Sequence, residues 1–265
     1  MAETFPNEQK RHIISPLITR ALGLKPPEDN IVLPNSQAMR KVDFYSSFAI
    51  VPTNESERQF VLIDGGKDKT AGRLRQFLAN RQLGINAVKA MYLTHGHSDH
   101  TGAAHILPTG VPIYISAADN RIIAGELTEG PLPSLFDKCA HKPLSRIAGI
   151  KPEIIQEGES HDYGDIQISS LAMPGHTTGS TSYFVDGYQN TGKADWFVGD
   201  AFDTKRKGEI ANAAPPFSHN LQISALSIAR AVQHIRNEHR QIADVMPAHT
   251  GLTNFGAVER FAANN

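Results

Sequence analysis

Apolar residues recur along this chain at two periods. Asp43–Pro52 and Arg58–Asp64 read as strands, with the polar run Asn54–Glu57 as the turn between them. Between about Lys69 and Leu83 the period changes. Ala71, Leu74, Phe77 and Leu78 fall on one face of a predicted helix that Gly84 stops. A short apolar strand at Lys89–Leu93 follows, then a helix starting near Thr101, then a strand at Pro112–Ile115. This strand–helix–strand order predicts an α/β layered fold. Residues 117–150 carry little strand pattern and are expected to hold helices and loops over a cleft. Strands return at Asp165–Met173, Thr181–Val185 and Asp195–Val198, with a turn-rich hairpin loop over Asp186–Lys193. A helix over about Leu221–Glu238 and a short strand at Asp244–Pro247 close the pattern. Residues 1–40, punctuated by Pro16, Pro26, Pro27 and Pro34, read as an N-terminal extension with one short helix near Pro16–Leu22; residues 41–265 form the main domain.

Composition narrows the partners. The 265 residues, 40% of them apolar, suffice for one large core. Lysine plus arginine number 26 and aspartate plus glutamate 27, a net charge of −1, which gives no global reason to expect nucleic acid or an anionic membrane as partner. A small-molecule substrate is the expectation. The single cysteine, Cys139, reads as a small buried residue with no ligand role. The first residues, Met1–Pro6, lack the basic and apolar regions of a secretory leader. A cytoplasmic protein is expected, or a periplasmic one whose leader has been removed.

The chemistry concentrates at strand ends. Four times a strand-like run stops and a ligand-type side chain follows: the stretch Thr94–Gly102 with His95, His97, Asp99 and His100, then His176 after Pro174-Gly175, Asp200 after Gly199, and His249 after Pro247-Ala248. A side chain so placed is held by a rigid sheet and still faces solvent. These seven donors are all nitrogen or oxygen. A closed structural zinc site uses four ligands and is commonly rich in cysteine. Seven suit two divalent ions: His95, His97 and His176 on the first, Asp99, His100 and His249 on the second, and Asp200 bridging. A water between two such ions is acidified enough to attack a carbonyl or phosphoryl group at neutral pH, so hydrolysis is the implied reaction. Asp99 is also the candidate to orient that water or carry its proton. Zinc is the default ion, and the donor set suits iron or manganese as well.

His95-x-His97-x-Asp99-His100, Pro174-Gly175-His176-Thr177-Thr178-Gly179-Ser180, Gly199-Asp200 and Pro247-Ala248-His249 together resemble the metallo-β-lactamase superfamily, over about residues 45–252. The resemblance implies a four-layer αβ/βα sandwich with the metals at one edge of two facing sheets, so 41–265 reads as a metallo-β-lactamase-like hydrolase domain. It also implies that Asp64, in Ile63-Asp64-Gly65-Gly66, lies beneath the site and orients a ligand histidine. Residues 159–200 resemble the histidine-rich class of metallo-β-lactamases in layout, while Gly199-Asp200-Ala201 is closer to glyoxalase II and its lactonase-like relatives. A thioester, lactone or ester is the expected substrate. The rivals are a β-lactam and, with a single iron, a persulfide-type dioxygenase reaction. A metal-binding protein without catalysis is a further rival.

Two other places are candidates for substrate contact. His219 sits in the loop Pro215–Asn220, and Arg206 lies in the basic run Lys205-Arg206-Lys207 soon after Asp200. His12, His105, His141, His161, His234 and His239 read as solvated or helix-surface residues.

Overall fold

The computed structural model describes residues 22–43, 46–53, 58–127, 152–187, 192–213 and 215–265. In chain order its elements are β1 (Met39–Asp43), β2 (Ser46–Pro52), β3 (Phe60–Ile63), α1 (Gly72–Ala79), β4 (Val88–Tyr92), β5 (Ile113–Ile115), α2 (Ala117–Ile123) and β6 (Glu153–Ile154). There follow β7 (Ser160–Asp162), β8 (Ile166–Ala172), β9 (Thr181–Gly187), β10 (Lys193–Gly199), β11 (Phe202–Thr204), β12 (Ile210–Asn212), α3 (Leu221–Asn237), β13 (Gln241–Pro247) and α4 (Phe255–Asn264).

Strands β1 to β6 form one sheet in sequence order. Its first three strands pair antiparallel, and β3–β4, β4–β5 and β5–β6 pair parallel. Parallel neighbours need crossovers, which is where α1 and α2 lie. The second sheet has the order β13-β10-β9-β8-β7, with α3 crossing between the parallel pair β10 and β13. Strands β11 and β12 make a separate hairpin.

Alternation along each strand divides the apolar residues among three buried layers. In β2, Phe48 and Ile50 face Leu74, Phe77 and Leu78 of α1, while Ala49 and Val51 face the second sheet. In β10, Phe197 joins that central layer, while Trp196 and Val198 face Ile228, Ala231, Val232 and Ile235 of α3. Sheets buried on both faces read as unbroken apolar runs. The result is the expected αβ/βα sandwich. Among the described residues, no helix is long and apolar enough to cross a membrane.

Several expectations are corrected. No α-helix starts near Thr101. The backbone there makes a 3-10 turn, Gly102–Ile106, because the amides of Gly102 and Ala103 donate to Gly66 and Gly65 carbonyls at 2.6 and 2.9 Å. The N-terminal extension is also revised in its described part. Residues 24–40 are stitched into the domain: the Lys25 amide donates to the Thr204 carbonyl at 2.7 Å, the Ser36 amide donates to Asp195 Oδ2 at 2.9 Å, and Leu33 and Ala38 are buried in the central layer. Strand β1, the β11–β12 hairpin and α4 go unread in the sequence, although Val258, Phe261 and Ala262 place one face of α4 on the core. The short helix near 16–22, the turn at 54–57, the hairpin-loop residues 188–191 and most of the 117–150 stretch, with Cys139, lie outside the described residues.

Trp196 is fully buried between β10 and the helical layer, stacked at 5.5 Å on Phe184, with Nε1 donating to Ser182 Oγ at 2.9 Å. Trp196→Ala is expected to cost about 3–5 kcal/mol in urea unfolding. A loss below about 1 kcal/mol would contradict this packing.

Candidate metal centre

Four strand ends meet at one edge of the sandwich. The Thr181 amide donates to the Thr94 carbonyl, and Tyr183 Oη donates to the Leu93 carbonyl, both at 2.8 Å, so the β4 end is fastened to β9. The Ala248 amide donates to the Gly199 carbonyl at 2.8 Å, fastening the β13 end to β10. Gly199 has φ +56°, and a Cβ on it would come within 2.6 Å of the Thr94 side chain. Only glycine allows that turn and that approach together, and the turn places Asp200 over the histidine loop.

The seven side chains singled out at strand ends are brought together. His95 Nε2 and His176 Nε2 lie 3.1 and 3.0 Å from His97 Nδ1. His100 Nε2 lies 3.2 Å from His249 Nε2, and Asp99 Oδ2 lies 3.5 Å from the same His249 atom. Asp200 spans the two groups: its Oδ2 is 3.5 Å from His176 Nε2 and 3.4 Å from His249 Nε2, and its Oδ1 is 3.5 Å from His100 Nε2. Donors on one tetrahedral zinc, each at about 2.0–2.1 Å, stand ~3.3 Å apart. The observed spacings fit that separation. Asp200 Oδ1 is also buried and makes no hydrogen bond among the described residues, as a ligand oxygen would. His95, His97, His100 and His176 are buried, whereas Asp99, Asp200 and His249 have side chains 29%, 16% and 14% exposed, so the cluster opens to solvent on their side.

Rear contacts fix which nitrogen faces inward. Asp64 Oδ2 accepts from His100 Nδ1 at 2.8 Å, and the same carboxylate accepts from the Thr94 amide at 2.8 Å and from Thr94 Oγ1 at 2.9 Å. Thr94 Oγ1, its own proton given to Asp64, accepts from His95 Nδ1 at 3.1 Å. His176 Nδ1 lies 3.3 Å from Ser218 Oγ. Each ring therefore turns its Nε2 into the cluster. Asp64 does this from a left-handed backbone, φ 60°, which costs about 1–2 kcal/mol for a residue with a Cβ. Strain held at such a point marks a position kept for the site.

Electrostatics splits the cluster. Burial, reinforced by neighbouring imidazoles, holds His95 well below the ordinary histidine value, and burial brings His176 down to about 3. Both present neutral rings. Burial also opposes charge on His100 and His249, but carboxylates outweigh it. Asp64, Asp200 and Asp99 raise His100 well above its usual value, and Asp200 and Asp99 raise His249 to about 9. Against the same burial, His100 and His249 hold Asp99 and Asp200 below the normal carboxylate range. The open half is thus a network of imidazolium and carboxylate before any ion enters.

Three supporting residues were not singled out from the sequence. Asp119 is fully buried and accepts from the Gly96 amide and Thr177 Oγ1 at 2.8 Å and from the Gly179 amide at 2.9 Å. It joins the loop between His95 and His97 to the loop after His176. A Cβ on Gly179 would fall 2.4 Å from Asp119 Oδ1, so glycine is required there. The available signal was the capping pattern Ser116-x-x-Asp119, in which Ser116 Oγ accepts from the Asp119 amide at 3.2 Å. Ser218 is the second; in its loop, it is Ser218 rather than His219 whose side chain reaches His176. His219 is exposed, with its amide donating to the His176 carbonyl at 2.8 Å. The third, Arg40, holds the carbonyls on either side of His249. Arg206 lies apart from the cluster, at the exposed turn between β11 and β12. His161 is no solvated residue: it is half-buried, with Nδ1 2.7 Å from Tyr92 Oη and Nε2 3.0 Å from Glu159 Oε1.

The family model described as "Metallo-beta-lactamase superfamily" matches residues 41–232. The chain belongs to the metallo-beta-lactamase superfamily. It is 30% identical over 138 residues to "Probable metallo-hydrolase YflN" of Bacillus subtilis, covering 48% of this chain and 51% of that protein. It is 30% identical over 133 residues to "Hydroxyacylglutathione hydrolase GloC" of Haemophilus influenzae, covering 49% and 57%. The chain thus spans about half the length of the curated relatives it matches. Among solved structures, the subclass B3 metallo-beta-lactamase BJP-1 of Bradyrhizobium japonicum superposes with a TM-score of 0.59 at 16% identity, covering 86% of this chain and 80% of that one. The archaeal superfamily protein ST1585 of Sulfolobus tokodaii gives 0.54 at 16%, covering 90% and 84%. At such identities the superpositions establish the shared fold of the superfamily.

Asp119→Ala is expected to weaken zinc binding about 10–100-fold in chelator competition, with the fold retained. Unchanged affinity would remove its positioning role. The pH dependence has a definite sign. Carboxylates keep His100 and His249 protonated at neutral pH, so an ion bound through these rings would displace protons and its apparent affinity would rise with pH. Zinc titrations between about pH 6 and about pH 8 should show this rise, and a flat profile would contradict it.

Proposed function

We propose that this protein is a metal-dependent hydrolase that uses two divalent ions on a small carbonyl substrate, a thioester, lactone or ester. The observation that carries the reading is Asp200, whose single Oδ2 stands 3.5 Å from a nitrogen of the first group and 3.4 Å from one of the second. A carboxylate so placed suits a pair of ions that share it.

When bound, two divalent ions acidify a water and polarise the carbonyl it attacks. The protein's part is arrangement. His95, His97 and His176 would hold the first ion, Asp99, His100 and His249 the second, with Asp200 shared between them. Zinc is the ion we propose, since neutral imidazoles and carboxylates in this spacing suit its tetrahedral preference. Asp99 is the most exposed of the seven. Its Oδ1 stands 3.9 Å from His100 Nε2 and its Oδ2 3.5 Å from His249 Nε2. It can orient the attacking water and accept its proton at the free carboxylate edge, then return it to the departing oxygen or sulfur. His219, exposed on the loop that holds His176, and Arg206 on the β11–β12 turn are proposed to meet the substrate's outer part.

The similarity to a hydroxyacylglutathione hydrolase favours the thioester. The fold likeness to subclass B3 enzymes makes a β-lactam the second reading.

The test is a panel of thioesters, lactones, esters and β-lactams run on zinc-loaded protein with metal quantification. Turnover of a carbonyl substrate with two ions per chain is expected. Asp200→Ala should lose metal and turnover together while keeping its circular dichroism. One iron per chain with oxygen consumption, or no turnover across the panel, would overturn the reading.

A further inference from the structure

His249 is the one ligand that follows the second sheet's last strand, and its loop is held from an unexpected side. Arg40, in β1 of the opposite sheet, is 1% exposed. Its Nη2 donates to the carbonyls of Pro247, Ala248 and Thr250 at 2.7, 2.8 and 2.8 Å. Those three carbonyls bracket His249 on both sides. The neighbouring segment grips the same loop further along. The Gly251 amide donates to the Lys25 carbonyl at 3.1 Å, Lys25 Nζ donates to the Leu252 carbonyl at 2.9 Å, and the Leu252 amide donates to Glu28 Oε2 at 2.9 Å.

A buried guanidinium is costly to keep unless all its donors are met. Here they are not: Arg40 Nε and Nη1 are buried and have no hydrogen-bond partner among the described residues. Burial lowers Arg40 to about 10, with Glu28 and Asp29 opposing, so it stays charged at neutral pH. A cation retained at that cost, with its satisfied nitrogen spent on the backbone around one ligand, points to service at the metal centre. Both Arg40 and the 247–252 loop fall outside the stretch matched by the family model, which ends at 232 and begins at 41.

We propose that Arg40 is a positioning residue for the second ion: by fixing the carbonyls around His249 it sets that imidazole's place opposite His100 and Asp99. The inference rests on the two-ion reading above. Thr94 holds His95 and Ser218 holds His176 by separate contacts, so these first-ion histidines are held without Arg40.

The test is zinc titration of the full chain, with stoichiometry by elemental analysis and site affinities by chelator competition, on wild type, Arg40→Met, Arg40→Gln and His249→Ala. Wild type is expected to bind two ions. Folded Arg40→Met and Arg40→Gln should bind the first within about twofold of wild type and the second at least about tenfold more weakly, approaching His249→Ala. Wild-type affinity at both sites in either variant, or equal weakening at both, would overturn the inference. Failure of both variants to fold would assign Arg40 to folding and overturn it too. Fewer than two ions on wild type would instead overturn the two-ion reading.

Discussion

Seven nitrogen and oxygen donors crowd one edge of this sandwich at spacings of 3.0–3.9 Å. That crowding is the constraint on which the surrounding structure depends. Imidazoles and carboxylates do not gather so closely without a cation to face or a network to neutralise them. The protein's own groups manage it by charging His100 and His249 against Asp64, Asp99 and Asp200 and leaving His95 and His176 neutral. The same carboxylates supply most of the negative charge that two divalent ions would require.

The cost of holding the donors in place is spread over residues that touch no substrate. Asp64 accepts three hydrogen bonds from a strained backbone and thereby sets Thr94, His95 and His100. Asp119 ties the first histidine loop to the one bearing His176. Arg40 grips the His249 loop across the gap between sheets. Each binds backbone amides or carbonyls, so it acts on whole loops, whose rigidity then orients several ligands at once.

Much of this was legible in the sequence, and the unread remainder has physical causes. The seven clustered side chains were readable because each follows an apolar run that ends abruptly, and their order along the chain matched one superfamily. The layered fold was readable because both sheets are buried on both faces. Short strands were not: β1, β11 and β12 run only three to five residues, too few to show a period, and each is set by pairing with its neighbour in a local hairpin. The 3-10 turn after His100 looked helical because its composition is helical, while its amides are claimed by Gly65 and Gly66. Arg40 was unreadable, and Asp119 was marked only as a helix-capping residue, for a different reason. A lone charged residue looks solvated until long-range packing buries it, and only then does its partner set reveal a role.

Those supporting residues hold the loops that face Asp200, the carboxylate proposed to serve two ions. Zinc-loaded crystals examined by anomalous scattering test this most directly. Two peaks are predicted, about 3.5–4 Å apart, both within bonding distance of the Asp200 carboxylate. A single peak, or two peaks of which only one touches Asp200, would contradict it.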